Sequence, residues 1–186
     1  MPFRVIQWST GNVGRYALRQ ILDHPELTLA GVYVTSEAKD GVDAGELCGR
    51  PATGVFATRD PDALLAMDAD CVVYTATADT RPQEAYGELL ACLESGANVV
   101  STAFYPLLHP ACTPSELKPL VDAACEKGRS SVFVSGIDPG WALDILPVLL
   151  SGVVADIREV RCQEIFNYAF YAQPDVVRHV IGFGGS

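Results

Sequence analysis

The sequence predicts an α/β fold with a doubly wound parallel sheet, followed by the start of a second, α+β domain. Short apolar runs alternate with segments of helical spacing up to residue 139, where the pattern changes. The apolar runs are nearly continuous, which is typical of parallel strands covered by helices on both faces. This is the Rossmann type of sheet, and the predicted domains are residues 1–138 and 139–186.

The elements of the first domain follow from residue spacing and from helix-end residues. Apolar residues at helical spacing predict a helix over 12–23, and Asp60-Pro61 is typical of a helix start. Residues 35–51 are polar and contain glycine, so we expect a surface loop there. The predicted strands are 3–8, 27–34, 55–57, 70–75, 98–102 and 131–135, and the later predicted helices are 61–67, 81–94 and 113–127.

The second domain is predicted to contain a helix over 140–150, a long alternating strand over 156–168 and a helix over 174–181. A lone strand leaves its own edges unpaired. We therefore expect the rest of this second sheet to come from residues of a longer protein or from a partner.

Composition and charge limit the classes of partner. The chain has 186 residues, 49% of them apolar, and carries a formal net charge of −10. An acidic surface repels nucleic acids and anionic membranes, so we expect a small-molecule partner, no nucleic acid and no membrane.

Three further observations favour a cytoplasmic protein. The six cysteines form no C-x-x-C pair, and no leader with a basic start and an apolar core is visible. No apolar run is long enough to cross a bilayer.

The first strand-to-helix turn, within VIQWSTGNVGRYA, resembles a phosphate-binding turn. The usual pattern is G-x-G-x-x-G, and here Ser9 stands in the first glycine position, with Gly11 and Gly14 in the other two. Ser9 is expected to make the turn with φ below zero. The alternative interpretation is a strand-to-helix turn that binds no phosphate and has its glycines for packing alone. The predicted cofactor contacts in the turn are Ser9, Thr10, Gly11, Asn12, Val13 and Gly14.

Several longer stretches resemble one enzyme group. WSTGNVGRYALRQIL, DAGELCG, DADCVVYTATAD, NVVST and SGIDPGWALDILP are similar to the dihydrodipicolinate reductase-like NAD(P)H-dependent oxidoreductases, which include 2,4-diaminopentanoate dehydrogenase and the native amine dehydrogenases. The resemblance implies hydride transfer to or from a small imine, amine or carbonyl compound. It also implies a longer protein, a homodimer at full length, with a substrate and oligomerisation domain after the dinucleotide-binding domain. A catalytically inactive nucleotide-binding or sensor protein, and an enzyme that uses a nucleotide-bound substrate, are the alternatives.

The end of the second strand bears on the choice between NADP and NAD. An acidic residue there would bind the ribose 2′-hydroxyl of NAD, but this strand ends in Val34-Thr35-Ser36, with Glu37 one position late and Lys39 nearby. Ser36 and Lys39 suit a 2′-phosphate, so NADP is the preferred cofactor and NAD the alternative. Further cofactor contacts are expected after the fourth and fifth strands, at Thr75, Ala76, Thr77 and Ser101.

The resemblance implies a glutamate just after the fifth strand, and Phe104 stands near that position here. The polar candidates for catalysis are therefore Tyr105, His109 and Asp138, with Tyr105 donating to a carbonyl and Asp138 acting as a base or orienting a cation. The predicted substrate-pocket residues are Trp141, Gln163 and Asn167. No cluster has metal-ligand spacing, so no metal is expected.

Overall fold

The computed structural model describes residues 1–184. These residues form two compact units, Met1–Val134 and the residues from Ser135 onward. The assignment of dinucleotide binding to 1–138 and of substrate binding to the remainder stays a prediction about function.

The first unit is built on one sheet of six parallel strands in the order β3-β2-β1-β4-β5-β6. This is the strand order of the Rossmann fold, and it confirms the predicted fold class. The chain reverses direction across the sheet between β1 and β4, where ligands bind in such folds. The strands are β1 (Phe3–Trp8), β2 (Leu27–Tyr33), β3 (Ala57–Thr58), β4 (Cys71–Tyr74), β5 (Asn98–Ser101) and β6 (Val132–Val134).

The helices of this unit are α1 (Gly14–Asp23), α2 (Ala44–Cys48), α3 (Pro61–Leu65), α4 (Pro82–Glu94) and α5 (Lys118–Gly128). The prediction of an unbroken loop over 35–51 is wrong because it contains α2. The Asp43 carboxylate caps that helix by accepting from the amide of Gly45 at 2.7 Å, and Gly49 ends it with φ of 69°. The helix predicted over 113–127 begins later, at Lys118.

Both faces of the sheet are covered. Consecutive residues of β1 point to opposite faces, and they join different apolar clusters: Ile6 packs with Val72 and Leu89, whereas Val5 packs with Leu18 and Val32. All of these side chains are buried. The cluster around Ile6 contains residues of α4 and α5, and the cluster around Val5 contains residues of α1 and α2.

The second unit differs from its prediction in one important respect. Its helical stretch Ile137–Ile145, non-helical at Asp138 to Gly140, continues into α6 (Leu146–Ser151), and a wide helical turn follows at Val176–Val180. The strand predicted over 156–168 is wrong: within residues 1–184 this segment pairs with no strand, and most of it is exposed. Alternation of residue types predicts which faces a strand presents, but a strand also requires a hydrogen-bonded partner.

Candidate functional site: the turn after β1

The backbone of Ser9 begins the turn in the left-handed region, with φ of 77°. The expectation of a negative φ is wrong. The first residue of this turn must reverse the chain sharply, and Ser9 takes the conformation that glycine normally supplies. The Ser9 amide donates to the carbonyl of Tyr33 at 2.9 Å, and the Ser9 carbonyl accepts from Nε2 of Gln7 at 2.7 Å.

The two glycines of the turn have different surroundings. A Cβ atom on Gly14 would lie 2.2 Å from the Ser9 carbonyl oxygen and 2.7 Å from Oγ1 of Thr75. A Cβ atom on Gly11 would have one neighbour within 4 Å, Oγ of Ser9 at 3.9 Å. Packing among residues 1–184 therefore requires glycine at position 14 and does not require it at position 11.

The amino terminus of α1 is open to an anion. Val13 occupies the N-cap and its side chain gives no capping hydrogen bond, and the first turn of the helix contains no acidic residue. Gly11, Asn12 and Val13 are exposed, and the Gly11 carbonyl accepts from the amide of Arg15 at 3.1 Å. An uncapped helix amino terminus presents amide N–H groups and the positive end of the helix dipole.

Lys39 connects the loop after β2 to the turn. Its Nζ donates to the carbonyl of the buried Thr10 at 2.9 Å and lies 3.1 Å from Oγ1 of the same residue. Ser36 precedes Lys39 in a short 3₁₀ segment and is exposed. The Lys39 ammonium thus lies beside the turn, and Ser36 lies in the loop that follows β2.

The residues after β4 and β5 complete this edge. Oγ1 of Thr75 lies 3.0 Å from the Trp8 carbonyl and 3.2 Å from the Ser9 carbonyl, which joins the end of β4 to the turn. Ala76 is buried, and Oγ1 of Thr77 is buried without a hydrogen-bond partner in the described residues. Ser101 is buried and its Oγ accepts from the amide of Ala103 at 3.0 Å.

A network of aromatic and charged side chains, which the sequence did not predict, lies under the ends of β1 and β4. Glu88 on α4 accepts from Nε1 of Trp8 at 3.0 Å, from the Tyr74 hydroxyl at 2.7 Å and from the Arg81 guanidinium at 2.6 Å. Burial, and then the Glu88 carboxylate, raise the pKa of Tyr74 and keep its hydroxyl protonated as a donor. The network fixes the strand ends on which the turn is built.

Phe104 belongs to the same aromatic cluster. Its side chain is fully buried, with its ring centroid 4.8 Å from that of Tyr74 and 5.1 Å from that of Tyr86. Residue 104 is therefore a core position in this protein.

The two candidate catalytic residues of the first unit lie after β5. Tyr105 is half-exposed at the start of a 3₁₀ turn. His109 is exposed, and its Nδ1 accepts from the amide of Ala111 at 3.2 Å, which caps the next turn.

The remaining candidates belong to the second unit. Asp138 is exposed, and a hydrogen bond with its side chain is the main cause that raises the pKa of Glu164. The proximity of Glu164 was not predicted, because nothing in the spacing of the two residues indicates it. Asp144 accepts from the amide of Gly140 at 2.7 Å and holds the bend that follows Asp138.

A groove of about 400 Å³ runs between α6 and the segment over 157–163. Its lining is mainly apolar, with Leu146, Leu150 and Val160, and includes the predicted pocket residue Gln163. Trp141 and Asn167 are not among the lining residues. Trp141 is half-exposed, and Asn167 accepts from the amide of Ala169 at 3.0 Å as the cap of a short turn.

Within residues 1–184, no group of three His, Cys, Asp or Glu side chains is arranged to hold a metal ion. Among the same residues, no helix is both long enough and apolar enough to span a bilayer.

Sequence comparisons agree with this geometry. The profile of the family described as dihydrodipicolinate reductase, N-terminus, matches residues 5–106, which include the turn and the strand ends around it. The chain belongs to this family. A 4-hydroxy-tetrahydrodipicolinate reductase of Chromobacterium violaceum is 35% identical to it over 97 residues, which are 52% of this chain and 34% of that protein.

Two amine dehydrogenases are also similar to this chain. An amine dehydrogenase of Streptomyces virginiae is 48% identical over 180 residues, which are 96% of this chain and 50% of that protein. The solved amine dehydrogenase of Mycobacterium smegmatis shares the fold, with a TM-score of 0.71 and 23% identity over 84% of this chain and 46% of its own. The chain thus spans about half the length of these two relatives.

Proposed function

We propose that the protein is an NAD(P)H-dependent oxidoreductase of the dihydrodipicolinate reductase-like or amine dehydrogenase-like type. Its Rossmann unit binds the nicotinamide cofactor at the turn after β1, and the enzyme moves hydride to or from a small imine, amine or carbonyl compound. The observation that carries the proposal is Gly11. No packing in the described part of the chain requires a glycine there, so we infer that the missing side chain serves the close approach of a ligand.

The pyrophosphate is the part of the cofactor that suits this position. The exposed turn over 11–13 leads into α1, whose amino terminus has no side-chain cap and no acidic residue in its first turn. Such a terminus binds phosphate through its amides and its dipole. Ser9, Thr10, Asn12 and Val13 supply the remaining loop contacts.

NADP is the preferred form. The end of β2 offers Ser36 and the Lys39 ammonium, and both suit a 2′-phosphate better than they suit the bare 2′-hydroxyl of NAD. The Lys39 ammonium already lies on Thr10, so the same cation supports the turn and contributes positive charge beside it.

The nicotinamide end would lie past β4 and β5. Thr75, Ala76 and Ser101 place small side chains at this edge of the sheet. The hydroxyl of Thr77 is buried without a partner in the described chain, and such a group is costly unless a ligand or water satisfies it. We infer that it hydrogen-bonds the cofactor.

The bound nicotinamide would supply or accept the hydride, and the protein must move the accompanying proton. Tyr105 is the proposed donor to a carbonyl oxygen, and Asp138 is the proposed base or the group that orients a cationic substrate. Glu164 lies beside this candidate, since a hydrogen bond with Asp138 is the main cause that raises the pKa of Glu164. His109 is a third candidate through Nε2, since Nδ1 already accepts from Ala111.

The substrate is proposed to be small and cationic or neutral, and to contact Trp141, Gln163 and Asn167. The amine dehydrogenase relative at 48% identity supports an amine or imine. We further infer a homodimer at full length and a cytoplasmic location, in keeping with the acidic composition and the unpaired cysteines of the described chain.

Turnover tests the proposal. The purified full-length protein is incubated with NADPH, small ketones and ammonium, and in reverse with NADP⁺ and small primary amines, while the absorbance of reduced nicotinamide is followed. Omitting ammonium separates imine reduction from carbonyl reduction. We expect turnover that Gly11→Asp abolishes and that Gly87→Asp retains, because Gly87 lies exposed on α4 with open space around it. A folded protein that binds NADPH but turns over no substrate of these classes would contradict the enzymatic function.

A further inference from the structure

We propose that Gln7 and Thr75 are positioning residues that hold Ser9 in the left-handed conformation on which the cofactor turn depends. The inference rests on the proposed function for its effect on cofactor affinity. The arrangement itself is a property of the chain.

Ser9 requires support because of its backbone conformation. With φ of 77° it occupies a region that glycine enters freely and that residues with a Cβ atom enter at a cost. Without other contacts, the turn would relax toward negative φ. A glycine at this position would need no such support.

Gln7 supplies the strongest of these contacts. Its side chain is fully buried in β1, and its Nε2 donates to the Ser9 carbonyl at 2.7 Å and to Oγ1 of Thr75 at 2.8 Å. Its Oε1 has no partner in the described residues. An apolar side chain at this position would avoid the cost of burying an unpaired amide oxygen. The hydrogen bonds that Nε2 donates to the Ser9 carbonyl and to Thr75 therefore explain why an amide is present.

Thr75 completes the support from the neighbouring strand. Because Oγ1 accepts from Gln7, its own proton is directed to the carbonyl of Trp8 at 3.0 Å or of Ser9 at 3.2 Å. The peptide after Ser9 is thereby fixed between β1 and β4.

The position of this peptide controls the start of α1. The Ser9 carbonyl oxygen lies 2.2 Å from where a Gly14 Cβ atom would be, so the first residue of the helix packs directly on it. If the Ser9 carbonyl rotated, the helix amino terminus and the loop over 11–13 would shift together. Loss of the support is therefore expected to weaken cofactor binding without removing any proposed contact of Gly11.

The test compares four proteins: the parent chain, Gln7→Met, Ser9→Gly and the double variant. NADPH affinity is measured by titration of nicotinamide fluorescence. We expect Gln7→Met to raise Kd about tenfold with Ser9 present, the scale set by the cost of the left-handed region. In the Ser9→Gly background the same change should raise Kd less than about threefold.

A second measurement needs no cofactor. The Ser9 amide donates to the Tyr33 carbonyl at 2.9 Å, so its hydrogen exchange reports the turn conformation directly. Gln7→Met should accelerate exchange at position 9 with the native serine and have little effect in the Ser9→Gly background. Thr75→Val keeps the side-chain shape and should likewise accelerate exchange at position 9 only with the native serine. This variant replaces Gln7→Met in the test if Gln7→Met fails to fold.

The outcomes separate the two proposals. Equal loss of affinity and equal acceleration of exchange in both backgrounds, or no effect in either, would overturn the positioning role. A rescue in exchange with no NADPH binding by any of the four proteins would support the positioning role and contradict the proposed function.

Discussion

The carbonyl oxygen of Ser9 occupies the space that a Cβ atom on Gly14 would need, at 2.2 Å. Because this oxygen is a backbone atom, a side chain at position 14 could not displace it as easily as it could displace the end of a flexible side chain. This relationship makes Gly14 a packing residue, whereas a Cβ atom on Gly11 would have only one neighbour within 4 Å among the described residues, and Gly11 is the residue that we propose faces the cofactor.

Gly14→Ala should destabilise the protein by about 1–3 kcal/mol, because the added methyl group must displace the Ser9 peptide or Thr75. Gly87→Ala is the matched control. It lies on α4 in open space, and the change should stabilise the helix by about 0.5–1 kcal/mol. Urea unfolding of the three proteins measures both effects. Equal stability of Gly14→Ala and the parent would contradict the packing role.

Lys39→Met should weaken NADPH binding more than NADH binding. The change removes the two contacts of Nζ with Thr10 and one positive charge next to the turn. A charge-assisted contact with a 2′-phosphate makes the expected loss about tenfold for NADPH, with a smaller loss for NADH. Lys127→Met, which removes an exposed ion pair with Glu94, is the control and should change neither affinity. An equal loss for both cofactors would assign Lys39 to the turn alone.

Glu88→Gln should destabilise the fold by about 2 kcal/mol, between the values for exposed and for fully buried pairs. Arg81 then loses its ion pair, and Trp8 and Tyr74 lose a charged acceptor. Asp122→Asn provides the comparison, since the exposed pair of Asp122 with Lys118 should contribute about 0.3–0.5 kcal/mol. Urea unfolding followed by tryptophan fluorescence measures both. A Glu88 effect no larger than that of Asp122 would show that the network is not structural.

The Asp43 carboxylate should make the free energy of unfolding depend on pH in the acid range. Backbone hydrogen bonds, first from Thr53 and also from Gly54 and Gly45, hold the pKa of Asp43 below its ordinary value of 3.8. A lowered folded pKa stabilises the protein above the unfolded pKa, and this stabilisation is lost as pH falls through the folded pKa. The stability difference between the parent and Asp43→Asn should therefore shrink below about pH 3.8. A difference that is constant with pH would contradict this origin.

The sheet and the helices of the first unit were predictable because local periodicity and end signals agree with the fold. Asp60 caps α3 and Pro61 begins it, as the sequence indicates. The φ of Ser9 was not predictable, because the Gln7 and Thr75 side chains that contact the Ser9 carbonyl are brought to it only by the folded chain. α2 was missed because its start depends on an Asp43 carboxylate that also binds Thr53 and Gly54.

The placement of the candidate site residues was also predictable in part and not predictable in part. The turn around Gly11 and the residues after β4 followed from strand order, because the carboxyl ends of parallel strands share one edge. The strand predicted over 156–168 failed because pairing cannot be read from alternation in one strand. The contact between Asp138 and Glu164 depends on how that segment folds back, so no motif indicated it.

The measurement that tests the central claim most directly is titration of the purified protein with NADPH, and separately with NADH, by calorimetry. The parent and Gly87→Asp should bind NADPH alike and more tightly than NADH, and Gly11→Asp should abolish binding while its thermal unfolding stays cooperative. No binding of either cofactor by the folded parent, or full binding by Gly11→Asp, would contradict the assignment of the turn as the cofactor site.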